Sequence, residues 1–305
     1  MLRYMKRDVL LKLVLVILGL LLIQGMGCGT TKSVYKKVTF NNKGLKKRVL
    51  VLPILDQAGV GDEKAEELTD KLVEFLKEKE HLLVYKGTMP TPSRQRLRSP
   101  EFAVVIDPAL IEKADQMGMN VLVAGVLNPS EITAKTWGWW PLKWVKRKLE
   151  VSLLLNAYDI IDGTLFLTHL ETRKIKVSKD DLEWGEGKTD IDKTELEEEL
   201  TEILEDQAST IRDELEGHPW RGKIMSVDGE TVVISAGMDV GLSNGRMFQV
   251  YSKGEKIRSL DGKEFHLLGP KVGEIKTVNV MDSQASAVPV NGGPFSPGQI
   301  IAIKD

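Results

Sequence analysis

The chain has 305 residues, with 42 Lys plus Arg against 44 Asp plus Glu, four His and one Cys. That length has room for about two domains of ordinary size, and 42% apolar with 28% charged residues excludes global disorder. A formal net charge of −2 argues against a dedicated nucleic-acid binder, a single Cys excludes an internal disulfide, and four scattered His leave little material for a zinc site.

In chain order, residues 1–27 read as a secretory signal. Arg3, Lys6 and Arg7 form a basic start, and Leu13–Ile23 is an apolar run of eleven residues, short of the roughly 20 that a membrane span needs. The tetrapeptide Gly25-Met26-Gly27-Cys28 then resembles a bacterial lipobox. That resemblance implies a diacylglycerol thioether on Cys28, which becomes the first residue of the mature protein. Gly29, where a retention signal would place Asp, implies the outer membrane. An ordinary signal peptide or an uncleaved anchor, with Cys28 a bystander, is the alternative. Without the leader the chain carries 38 basic and 43 acidic side chains.

Residues 28–47 are polar and basic and read as a lipidated tether. Arg48–Leu55 is a buried-strand run. Glu63–Glu80 sets Leu68, Leu72, Phe75 and Leu76 at helical spacing, and His81–Tyr85 is a second strand. Thr88–Pro100, with three prolines, is a loop by composition. Asp107-Pro108 starts a short helix that Gly118 ends. Asn120–Leu127 is a third buried strand, and Leu149–Tyr158 and Thr164–Lys176 form a hairpin across Asp162-Gly163. Lys193–Glu216 is a long acidic helix with Leu196, Leu200, Ile203, Leu204, Ile211 and Leu215 on one side. This order predicts, for residues 48–217, an α/β sandwich of helices against a mixed sheet.

Gly217-His218-Pro219 breaks the pattern. Beyond it come short strands with dense turn signals: Lys223–Val227, Thr231–Ile234, Arg246–Tyr251, Gly273–Met281 and Gln299–Ile303, separated by Asp228-Gly229, Asn244-Gly245 and Asp261-Gly262. Residues 218–305 therefore read as a small all-β barrel, and the fold class is α+β.

Catalytic signatures are few. Gly241-Leu242-Ser243-Asn244-Gly245 fits the bare G-x-S-x-G spacing but lies among the turn signals of the all-β region rather than between a strand and a helix. There is no H-E-x-x-H, and Gly187-Lys188-Thr189 lacks the earlier glycine of a P-loop, since Leu182 stands there. Asp159 and Asp162 suit hairpin-turn chemistry better than a calcium loop. His81, His169, His218 and His266 are too dispersed to suggest a triad or a ligand set. The expectation is a protein that is not an enzyme and needs neither cofactor nor metal.

Two features could carry interactions. Thr133–Lys148 holds Trp137, Trp139, Trp140 and Trp144 beside Lys135, Lys143, Lys146, Arg147 and Lys148, with no acid. Read as an insertion without strand alternation, it is either a patch for membrane, glycan or protein, or a set of tryptophans folded back to cap the sheet. Lys179–Pro219 has sixteen acids against four bases and is either a solvated face or an acidic contact surface.

The run Gly222–Gly229, then Val233–Gly237, Val240-Gly241, Gly245–Tyr251, Val272–Ile275 and Pro297-Gly298 resembles the C-terminal domain of flagellar assembly protein T. Residues 48–216 resemble the TolB N-terminal-like α/β domain of the curli secretion lipoprotein and the penicillin-binding-protein activator lipoprotein B. These resemblances imply a periplasmic structural or assembly role without catalysis, at an envelope machine such as the flagellar basal body. An oligomeric secretion channel, or an activator of a peptidoglycan synthase, is the competing expectation. Expected partners are outer-membrane lipid through acylated Cys28, envelope proteins and further copies of the chain, and no nucleic acid.

Overall fold

The computed structural model describes residues 44–78, 80–88, 108–139, 142–177, 193–258 and 264–304. Cys28 and Trp140 lie outside them, as do the Thr88–Pro100 loop beyond Thr88, Asp107, Gly187–Thr189 and the 261–262 turn.

The first half is a seven-stranded mixed sheet with helices on both faces. Strand β1 (Lys47–Val51) pairs in parallel with β3 (Leu82–Lys86) on one side and with β4 (Val121–Leu127) on the other, and the two-residue β2 (Leu55–Asp56) extends alongside β4. Strand β6 (Leu142–Asp159) is antiparallel to β4, to β5 (Glu131–Trp139) and to β7 (Thr164–Val177). The central strand β4 is apolar at every position, and β1 is apolar from Val49 on, because the sheet is covered on both faces there. Odd residues (Val49, Val51, Val123, Leu153, Leu155) meet Leu68, Leu72 and Leu76 of α1 (Asp62–Lys77) and Leu200, Ile203, Ile211 and Leu215 of α3 (Lys193–Gly217). Even residues (Leu50, Leu122, Val126, Leu154) meet α2 (Pro108–Gln116) through Ala114, with Leu110 and Ile111 alongside. Pro108 opens α2 at the position where proline's missing N–H costs no helical hydrogen bond.

The second half is a closed six-stranded antiparallel barrel. Its strands are β8 (Arg221–Asp228), β9 (Thr231–Ile234), β10 (Met247–Arg258), β11 (Glu264–Val280), β12 (Ala285–Gly292) and β13 (Ile300–Ile303), in the spatial order β10-β11-β12-β9-β8-β13. Its core packs Ile224, Val232, Ile234, Val250, Ile275 and Ile301 around Phe248, whose ring lies 5.8 Å from that of Trp220. Strand β12 was not among the expected strands, and it carries Pro289. Pro289 is tolerated because β9 pairs only with Ala285–Ala287, so at Pro289 the strand has β11 as its one partner. Glu274 lies between the ammonium groups of Lys271 (2.6 Å) and Lys304 (2.8 Å), whose hydrogen bonds hold its pKa down at about 2.

Residues from Gly44 onward form one compact unit, joined by a polar seam. Arg48, 4% exposed in β1, uses all five guanidinium N–H donors. Nε and Nη2 donate to the two Asp239 oxygens at 2.8 Å each, Nη1 to the carbonyls of Gly118 (3.2 Å) and Ser235 (2.9 Å), and Nη2 also to that of Ser283 (2.9 Å). Asn120 accepts from the Arg48 backbone N–H at 2.8 Å and donates to the Arg221 carbonyl at 2.7 Å. Arg221 reaches back to Asp159 (2.9 Å) and Asp162 (2.7 Å), and Lys223 pairs with Asp115. The last residues of the expected tether take part too: Leu45 is buried in the barrel core, and the Lys46 N–H donates to the Val240 carbonyl at 2.8 Å.

Candidate functional site

The first candidate is a cleft on the seam, lined among others by Lys47, Asn120, Asp159, Phe166, His218 and Arg221. It offers about 10 Å³, space for one water molecule, and most of its polar groups are committed to one another. Asp159 closes its own turn by accepting the N–H groups of Ile161 (2.8 Å) and Asp162 (3.2 Å) while it pairs with Arg221. His218 packs on Phe166 with ring centroids 4.6 Å apart and sits 3.4 Å from Glu214. Elsewhere His169 Nδ1 meets Gln207 Oε1 at 3.0 Å. The described residues contain no cluster of three or more His, Cys, Asp or Glu able to hold a metal.

Lys47 Nζ donates to the carbonyls of Leu215 (2.6 Å) and His218 (2.7 Å), at the C-terminus of α3 where the helix dipole favours a cation. Burial pulls its pKa down to about 8, against the raising effect of Asp159 and Glu216. The unfolded value is about 10.4, so the folded protein binds fewer protons between these limits and its stability rises with pH across that window. Below about pH 8 both states are charged and the burial cost is present in full. Urea midpoints measured just below pH 8 and near pH 10 are expected to rise for the native chain relative to Lys47→Met. Parallel pH dependence in the two proteins would remove Lys47 as the cause.

The second candidate is the tryptophan segment. Its reading as an insertion without strand character is corrected: residues 131–139 and 142–150 pair as a regular antiparallel hairpin without a register shift. Gly138, the penultimate residue of β5, takes φ +99°, a conformation that side chains disfavour. Strand β7 begins to pair with β6 only at Arg147, so the five residues from Leu142 to Lys146 have β5 as their sole partner among the described residues. At about 3.4 Å per residue this ribbon projects roughly 17 Å past the last β7 pair.

Facing residues of an antiparallel pair share a face, and successive residues alternate. The register sets Trp137 opposite Trp144, Trp139 opposite Leu142, Lys135 opposite Lys146 and Thr133 opposite Lys148, all on one face. The other face takes Gly138 with Lys143, Thr136 with Val145, and Ala134 with Arg147. The backbone register thus places positions 137, 139, 144 and 146 on one face and position 147 on the other. Trp139 is 88% exposed, Leu142 74% and Trp137 56%, so Trp137 and Trp139 do not cap the sheet. A covered tryptophan removes about 150–250 Å² from water, worth on the order of 4–6 kcal/mol at about 25 cal/mol per Å². Leaving Trp139 in water forgoes most of that. Leu142 escaped the sequence reading, and the period-two spacing of Trp137 and Trp139 was the signal that could have found it.

The acidic helix is partly neutralised. Glu197 pairs with Lys64 at 2.9 Å, while Glu199 and Asp206 surround Arg173 of β7.

No protein-family model matches the chain, and no curated protein matches it significantly. Among solved structures it is similar to the hypothetical protein CT253 from Chlamydia trachomatis, with 16% identity over 56% of this chain and 96% of that one, at a TM-score of 0.35. It is also similar to the PelC dodecamer from Paraburkholderia phytofirmans (13% identity, 55% of this chain and 88% of that one, TM-score 0.33). A third likeness is to lipoprotein GNA1162 from Neisseria meningitidis (11% identity, 56% and 99%, TM-score 0.28). All three are remote.

Proposed function

We propose that this chain is a non-catalytic lipoprotein of the bacterial envelope, held by an acylated Cys28 at the periplasmic face of the outer membrane, where it serves as a structural part of an envelope assembly. The observation that carries this reading is the placement of the chain's sole cysteine directly behind an eleven-residue apolar run and ahead of the folded unit that starts at Gly44. Burial of acyl methylenes contributes about 0.8 kcal/mol each, so two or three chains anchor a protein stably. A flagellar basal-body partner is the finer form of the proposal and rests on the resemblance of residues 222–298 alone.

The secretion-channel alternative is favoured by the length of β5, nine residues, against the 9–11 of a membrane-spanning strand. Charge decides against it. One face of the hairpin carries Lys135 and Lys146, the other Lys143 and Arg147, and a Lys or Arg on a lipid face at mid-membrane costs about 2–4 kcal/mol. Neither face is clean enough to span.

The test is fractionation of the native chain and of Cys28→Ser. The native chain is expected in the outer-membrane fraction with a mass increase of an acylated cysteine, and the variant is expected to lose both. A native chain found soluble in the periplasm, with the variant behaving identically, would end the anchor reading.

A further inference from the structure

We propose that the β5–β6 hairpin is a second membrane contact, which lies in the headgroup layer of an anionic phospholipid bilayer through the face carrying Trp137, Trp139 and Leu142. The occupant is argued from charge and shape. Trp137, Trp139 and Leu142 are exposed at the outer end of a ribbon that projects beyond the sheet. Indole rings favour the boundary where one side is apolar and the other wet. Farther from the turn on the same face stand Lys135 with Lys146 and Thr133 with Lys148, and residues 132–148 hold no acid to oppose a negative surface. Apolar groups at the tip with cations behind them match the order of acyl boundary and anionic headgroup met on approaching a bilayer. A protein partner would have to supply acids at the same depth, and a spanning role is blocked by charge on both faces.

This inference deepens the proposed membrane-bound role, but its test does not need Cys28 to be acylated. The full chain carrying Cys28→Ser is used, so that no acyl group contributes to binding. Vesicles of phosphatidylethanolamine and phosphatidylglycerol with brominated acyl chains then report whether tryptophan lies at the acyl boundary. Tryptophan emission is expected to be quenched, and most of the quenching is expected to disappear in W137S/W139S. Each of Lys135→Gln and Lys148→Gln is expected to weaken the contact by roughly fivefold, with little quenching in brominated phosphatidylcholine. Trp137 and Trp139 are exposed, so these variants should keep the near-ultraviolet signature of buried Trp220. Quenching that W137S/W139S leaves unchanged would overturn the proposal. So would hairpin-to-hairpin cross-links with no bromine quenching, which would assign the face to a second copy of the chain.

Discussion

Arg48→Met is expected to destabilise the protein by about 3–5 kcal/mol, the cost of breaking a buried ion pair from one side. Arg48 makes five hydrogen bonds from a 4%-exposed side chain. Methionine fills most of the volume of the arginine stem and makes none of these bonds. The Ser235 and Ser283 carbonyls then lose a charged donor, and Asp239 is left beside the sheet without its cation. Asp239→Asn should cost less, because the amide still accepts one guanidinium bond. The double variant should be markedly less unstable than the sum of the two, since both singles strand a partner of the same pair. The seam holds sheet to barrel, so the urea transition of Arg48→Met is also expected to lose cooperativity. A single, unshifted transition would show that the pair does not couple the two halves.

Phe248→Ala is expected to cost a further about 3–5 kcal/mol by a different route, the cavity left when a large aromatic is deleted from a packed core. Phe248 is fully buried, packs beside Trp220, and sits on β10 between Ile275 of β11 and Ile303 of β13. A closed barrel cannot collapse onto the void without breaking a strand pair, which puts the cost toward the upper part of that range. Phe248→Leu keeps most of the volume and should lose much less. Equal urea midpoints for the alanine and native proteins would contradict the barrel core as described.

Several elements were legible from local chemistry. The helical spacing of Leu68, Leu72 and Leu76, and of Leu200, Ile203, Leu204, Ile211 and Leu215, marks the faces that α1 and α3 bury. The continuous apolar runs of β1 and β4 foretell strands covered on both sides, and Asp162-Gly163 marks its hairpin, with Gly163 at φ +68°. The β5–β6 ribbon was not legible as strands, because β5 is exposed on both faces beyond Ile132 and so has no buried side to impose an apolar period. The reach of β10 and β11 beyond Tyr251 and before Gly273 was missed as well. There the two strands pair with each other through three register shifts.

By itself the amino-acid sequence determined the α+β class and the change of pattern after Gly217, because each rests on groups within a few turns or one hairpin of each other. The tertiary structure alone decided the seam and the two-faced hairpin. Arg48 reads locally as the polar start of a strand, and its partner Asp239 lies 191 residues away. Trp137 and Trp144 become one pair only when antiparallel register sets them opposite each other. Both depend on which distant backbones run side by side, and that is settled by the burial of the sheet and barrel cores rather than by any local preference of these residues.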